Sequence, residues 1–140
     1  MQLARYLAPL GLVALTAFGS ISAAHGQSLS PMRKDGLTLS DMKGFRVAVS
    51  NPYQKRMAFV LEVMDPEFET PVGDAVVQPA RLVLAPGYGR HVILAFKIPP
   101  NQKERTIGLC VRPEEISGSI LPRVCGTFVG RRAHAASAGG

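Results

Sequence analysis

From Phe45 to Ile98 the apolar residues recur at every second position, in short runs closed by Pro, Gly, Asn or Asp. A period of two belongs to strands with one buried face, and no stretch of the chain keeps a helical period for ten residues. Phe45, Val47 and Val49 alternate with Arg46, Ala48 and Ser50 and stop at Asn51-Pro52. Met57, Phe59, Leu61 and Val63 form the next set, ending at Asp65-Pro66, after which the acidic stretch Glu67, Glu69, Asp74 reads as an exposed loop. Val76 to Leu84 is a further strand. It contains Pro79, which cannot donate to a ladder and so belongs at an edge or a strand switch. Ala85-Pro86-Gly87-Tyr88-Gly89 is a turn, and Val92, Leu94, Phe96 and Ile98 make the strand that Pro99-Pro100-Asn101 closes. The 14 Gly and 11 Pro among 140 residues fit this turn-rich pattern, and the length leaves room for one core.

The first 26 residues are read apart from the fold. Arg5 precedes an apolar stretch from Tyr6 to Phe18, and small residues lead to Ala24-His25-Gly26. That is the layout of a cleaved secretory signal, with a second possible cut after Ala24. The apolar stretch is shorter than a bilayer-spanning helix, so no membrane insertion is expected after cleavage. Export places the remaining chain in the periplasm, where a pair of cysteines tends to be bonded. The expected organisation is a leader over 1–26, one domain over 27–132 and a disordered tail over 133–140.

The last two strands can be registered against each other. A two-residue turn at Ser117-Gly118 fixes the sum of facing residue numbers at 235, which sets Cys110 against Cys125, Ile107 against Phe128, Leu109 against Gly126 and Val111 against Val124. The cysteines then share the face opposite the apolar set. In this reading they form a disulfide at a wide, hydrogen-bonded pair, and Pro113 faces Pro122 at a narrow one, where neither missing N–H matters. With a first strand near Leu29 to Arg33, the chain has about seven antiparallel strands, the count of an immunoglobulin-like sandwich. The fold class expected is all-β, with one disulfide.

Chemistry-bearing clusters are sparse. His91 is the one histidine in the body of the domain, since His25 and His134 lie near the ends, and it alternates outward. The cysteines are not spaced as a redox pair. Asp65, Glu67 and Glu69 lack the glycine and ligand spacing of a calcium loop, and the 85–89 turn is not followed by the Lys-Ser/Thr of a phosphate loop. No enzyme, cofactor or metal is expected. The net charge of +6 is carried by basic residues spread from Arg33 through Lys43, Arg56, Arg81, Arg90, Lys103 and Arg112 to Arg123, with few aromatics between. Solvated strand faces account for these, and no nucleic-acid partner is expected.

Several stretches, read in order, resemble one family. Val49-Ser50-Asn51-Pro52, Phe59 to Val63, Gln78-Pro79-Ala80-Arg81-Leu82-Val83-Leu84-Ala85-Pro86-Gly87 and Pro99 to Arg105 look like the N-terminal immunoglobulin-like domain of PapD-like periplasmic pilus-assembly chaperones. The resemblance implies a periplasmic protein that holds secreted or fimbrial β-rich subunits by strand addition, without a cofactor. It departs from the family in showing one domain where those chaperones have two. The family anchors its subunit's terminal carboxylate with a cation on the first strand and another on the last. Arg33 sits near the first position and Arg123 near the second, although neither lies in a good match to the family's local motif. Under the register above Arg112 also faces Arg123, an opposition of like charge that an acidic partner would relieve. The apolar run that the family's last strand presents is represented by Ile120, Val124 and Phe128, interrupted by Pro122 and Gly126. A second reading is a pilus-like subunit that polymerises by strand exchange.

Overall fold

Two prolines turn the seven expected strands into nine. The computed structural model describes residues 28–116 and 118–133, so the proposed leader and most of the proposed tail lie outside the described residues. The first expected strand breaks at Pro31 into β1 (Ser28–Ser30) and β2 (Arg33–Thr38), and the Val76 to Leu84 strand breaks at Pro79 into β5 (Ala75–Gln78) and β6 (Arg81–Leu84). In each case the chain leaves one sheet and enters the other at a residue with no N–H to give to a ladder. The remaining elements are β3 (Met42–Ser50), β4 (Met57–Met64), β7 (Gly89–Lys97), β8 (Glu104–Pro113) and β9 (Val124–Arg132). The four-stranded sheet runs β1-β3-β7-β5 and the five-stranded sheet β2-β9-β8-β4-β6. This is an immunoglobulin-like sandwich, all-β as expected.

The alternating residues meet between the sheets. Val47, Val49, Phe59, Val92, Leu94, Phe96, Leu109, Val111 and Phe128 are fully buried, and burial of one such side chain contributes about 1.5–3 kcal/mol. Phe45 stacks on Phe96 at 6.1 Å and tilts against Phe128 at 5.5 Å between ring centroids. At one end of the sandwich Arg132 stitches three segments together, donating to the carbonyls of Ile98, Pro99 and Gln102 and pairing with Asp41. Ala133, first residue of the expected tail, still donates its N–H to the Thr38 carbonyl at 2.9 Å. At the other end Asn51 is buried and fully satisfied: its Nδ2 donates to the carbonyls of Lys55 and Leu84, and its Oδ1 accepts from the Tyr53 N–H. The Asn-Pro step that ends β3 is therefore a knot tying β3, β6 and the following loop. In the neighbouring turn Pro86 is followed by Gly87 at φ 74°, and the Tyr88 N–H closes on the Ala85 carbonyl at 3.1 Å. A positive φ after proline is the geometry that favours glycine there.

Cys110 and Cys125 are bonded and face each other in the register expected for β8 and β9, with Ile107 opposite Phe128 and Val111 opposite Val124. Two details of the hairpin are corrected. The ladder stops at Val111–Val124, so residues 114–123 join the strands in place of a two-residue turn, and Pro113 is not paired with Pro122. The disulfide also spans a Cα–Cα distance of 4.1 Å, the spacing of the narrow pair. The second fact explains the first. With a narrow pair at 110/125, alternation puts a hydrogen-bonded pair at 113/122, where two prolines leave both required donors missing. The two strands cannot continue together past that point.

The sandwich also departs from the all-antiparallel expectation, since β2 runs parallel to β9, pairing Arg33–Thr38 with Thr127–Arg132. Gly126 makes that approach possible. A Cβ there would stand 2.8 Å from the Met32 carbonyl oxygen, where the chain turns into β2.

Candidate functional site

A sandwich offers partners its edges, where backbone N–H and C=O groups are unpaired. The outer edge of β9 is covered by β2 from Thr127 onward. Among the described residues its first two, Val124 and Cys125, have no ladder partner on that side. The short ladder follows from the hairpin chemistry above, because Pro113 and Pro122 end the β8–β9 pairing before it. Large apolar side chains are exposed just ahead of it: Ile120 is 78% exposed, and Leu121 is exposed as well. Beside it lies a recess of about 370 Å3 lined by Tyr53, Met57, Pro113, Ile120 and Pro122, with Lys55 and Glu115 at its rim. The unladdered start of β9 at Val124 and Cys125 and this recess therefore lie close together along the chain.

The three expected partner-binding arginines are not assembled into one site. Arg33 opens β2, exposed and opposite Thr127, and makes no ion pair among the described residues. Arg123 lies four residues ahead of Thr127, about 13 Å along the strand direction. Arg112 and Arg123 do not face each other in the ladder as expected. Arg112 turns to β4, giving Nη2 and Nε to Glu62 Oε1 at 3.0 and 3.2 Å, while Arg123 gives Nη2 to the Phe68 carbonyl at 2.9 Å. Each guanidinium has been drawn to a different acceptor, which removes the repulsion that facing like charges would create. Of the apolar run, Phe128 is fully buried in the core and Ile120 exposed, so the exposed set is Ile116, Ile120 and Leu121. The sequence carries a signal for it: three large aliphatic residues in a stretch with no alternation, bounded by Pro113 and Pro122.

Elsewhere, His91 is exposed on the outer face of β7, where its Nδ1 lies 3.1 Å from Arg46 Nη2. Among the described residues no three His, Cys, Asp or Glu side chains are grouped as metal ligands, and no helix is long and apolar enough to cross a membrane.

The sequence matches no protein-family model and no curated protein. The structure does find neighbours. The E. coli chaperone DraB superposes with a TM-score of 0.62 at 18% identity, covering 77% of this chain and 55% of that one. The Salmonella enterica complex of SafA pilin with the SafB chaperone gives 0.61 at 15%, covering 80% and 57%. The neighbours are thus chaperones of the fimbrial, PapD-like type, and what is shared at these identities is the fold. This chain spans little more than half the length of those chaperones. The structure of SSP-19, an MSP-domain-like protein of Caenorhabditis elegans, superposes with a TM-score of 0.52 at 9% identity, covering 74% of this chain and 98% of that one.

Proposed function

We propose that this protein is a periplasmic chaperone-like binding module, exported by a leader over residues 1–26, that holds a β-rich secreted or fimbrial subunit by edge-strand pairing. One observation carries the reading: among the described residues the start of β9, Val124 and Cys125, has no ladder partner on its outer side, and the large apolar side chains of Ile120 and Leu121 are exposed just ahead of it. Strand addition needs open backbone for affinity and apolar side chains for selection, and the two lie next to each other here. The fold shared with fimbrial chaperones, one of them solved with its pilin, supports the same reading. Arg123, just ahead of this edge, and Arg33, which opens β2 opposite Thr127, would meet an acidic group on the client, with Arg112 on the neighbouring β8. The strand-exchange subunit is the weaker alternative. Such a subunit needs a sheet missing a strand, whereas β9 here is paired on both sides from Thr127 onward and its Phe128 fills the core.

The test is to refold a fimbrial subunit deleted of its last strand with equimolar protein, and follow light scattering and complex formation by size exclusion. A one-to-one complex with scattering suppressed is the expected result, lost in Ile120→Asp and Leu121→Asp at unchanged thermal stability. Arg123→Glu should weaken the complex and alter its salt dependence. Unchanged scattering, with the protein eluting alone, would overturn the proposal.

A further inference from the structure

Cys110 is on the face of the five-stranded sheet turned away from the core, yet it is only 1% exposed. Something covers it from the solvent side. Gly108 precedes Cys110 by two residues and shares its face, and the Phe68 ring sits directly on it: a Cβ added at Gly108 would stand 2.6 Å from Phe68 Cδ1 and 2.7 Å from the Asp65 carbonyl oxygen. The loop after β4 therefore folds back over the sheet. Its middle is held by Arg123, two residues before Cys125 on that same face, through Nη2 to the Phe68 carbonyl. Thr127 is opposite Gly108, so the Arg123 backbone stands four residues, about 13 Å, further along. The Arg123–Phe68 bond thus joins the loop to the chain beside Cys125, which is itself half-buried, so Cys110 is the more deeply covered partner. The Arg112–Glu62 pair closes the remaining side, with Glu62 directly opposite Cys110 on β4.

The loop is shaped to stay in place. The Asp65 N–H donates to the Thr70 carbonyl at 2.9 Å, the Asp65 carbonyl accepts from the Phe68 N–H at 3.0 Å, and the Asp65 carboxylate accepts from the Glu69 N–H at 2.8 Å. Phe68 itself is at φ 61°, a left-handed conformation that a bulky residue rarely adopts. The turn holds the ring over Gly108 despite that cost.

We propose that the Asp65–Thr70 loop is a guard over the Cys110–Cys125 disulfide, latched by Arg123, and that opening of this latch sets how fast the bond is reduced. In reduction by a dithiol, one thiolate attacks a cysteine sulfur and expels the other cysteine as thiolate, forming a mixed disulfide. The second thiol of the reagent then displaces the first cysteine and closes the reagent's own disulfide, so two electrons pass from dithiol to protein. The sheet blocks approach from the core side, and the guarded face is the way in.

The experiment follows reduction of the folded, oxidised protein by excess dithiothreitol, with free thiols trapped by a mass-tagged alkylator, in wild type, Arg123→Ala and Phe68→Gly. Global unfolding rates are measured alongside in urea. Phe68→Gly matters because glycine accepts the positive φ, so it removes the ring without adding backbone strain. The guard predicts that both variants are reduced about tenfold faster or more while their unfolding rates stay within about twofold of wild type. Equal reduction rates in all three, or reduction rates that track the unfolding rates, would overturn it.

Discussion

Arg112 donates through Nη2 and Nε to Glu62 Oε1, at 3.0 and 3.2 Å, across β8 and β4. The two side chains are 25% and 35% exposed, so solvent and salt screen the pair, and about 1 kcal/mol is a reasonable ceiling. Its local role is to give Arg112 an acceptor of its own next to the disulfide, since Glu62 is directly opposite Cys110 on β4. Glu62→Gln should lower the melting temperature by a few degrees at low ionic strength, where about 1 kcal/mol corresponds to roughly 4–8 °C in a domain of this size. The deficit should shrink as salt is added. Melting curves of both proteins at low and high salt check this, and coincident curves at low salt would show that the pair contributes nothing.

Asn51 carries a heavier load. Its side chain satisfies two carbonyls and one N–H in a fully buried position, and its backbone joins the Tyr88 carbonyl and the Gly87 N–H. Asn51→Ala strands the Leu84 and Lys55 carbonyls and the Tyr53 N–H at once, at about 1–3 kcal/mol for each group that water cannot reach. Asn51→Asp should be worse, since a carboxylate oxygen would then face two carbonyls. Urea denaturation should place the midpoints in the order wild type, Ala, Asp, with Asp lowest. A wild-type midpoint in Asn51→Ala would mean that water replaces all three bonds.

Much of this is legible in the sequence. The period-two pattern gives the strands, Pro79 announces a change of sheet, and the sum of 235 taken from a two-residue turn gives the β8–β9 register that the structure shows, although the ladder stops well short of that turn. What escaped has identifiable causes. Residue types do not say which facing pair is narrow and which is wide, so the hydrogen-bonding parity at Cys110–Cys125, and with it the fate of Pro113 and Pro122, came out inverted. The acidic stretch after β4 is exposed at Glu67, Glu69 and Asp74 as expected, but its charges hide Phe68 between them, whose ring turns onto Gly108, a strand-interior glycine of the kind that signals a close approach. Arg112 and Arg123 were paired by register because their acceptors, Glu62 and the Phe68 carbonyl, are 50 and 55 residues away in the chain. The short β8–β9 ladder is half visible, as an apolar run interrupted by proline and glycine. Pro122 helps to end that ladder early, and Gly126 lets the chain entering β2 come close.

Gly126 gives that last point a test. A methyl group there meets the Met32 carbonyl oxygen at 2.8 Å and Leu29 Cδ2 at 3.1 Å, and a backbone carbonyl already bonded to the Thr127 N–H at 2.8 Å cannot simply step aside. Gly126→Ala should lift the start of β2 from β9, costing about 1–3 kcal/mol as overpacking does and raising hydrogen exchange at Thr127. Gly73→Ala is the control, because nothing lies within 4 Å of the added methyl. If Thr127 keeps its protection in Gly126→Ala, β2 is not held by this approach.

Acid should weaken the fold, and the direction follows from three exposed carboxylates. The Arg105 guanidinium, bonded at 2.7 Å, holds Asp74 below the ordinary 3.8 of an aspartate. Arg81, bonded at 2.8 Å, does the same to Glu114 against its ordinary 4.5, and the Glu69 N–H lowers Asp65. With folded pKa values below unfolded ones, the unfolded chain binds more protons in this range, so stability rises with pH there. The contribution is complete above the ordinary carboxylate values and is lost as pH falls through the depressed ones. The melting temperature should therefore be insensitive to these groups near neutrality and fall progressively below about pH 4.5. Asp74→Asn should start lower at neutral pH, having lost the charged partner of Arg105, and should fall less steeply on acidification, so that the two curves converge toward roughly pH 2.5. Melts across that range in low salt decide it, and parallel curves would remove the Arg105–Asp74 pair from the acid response.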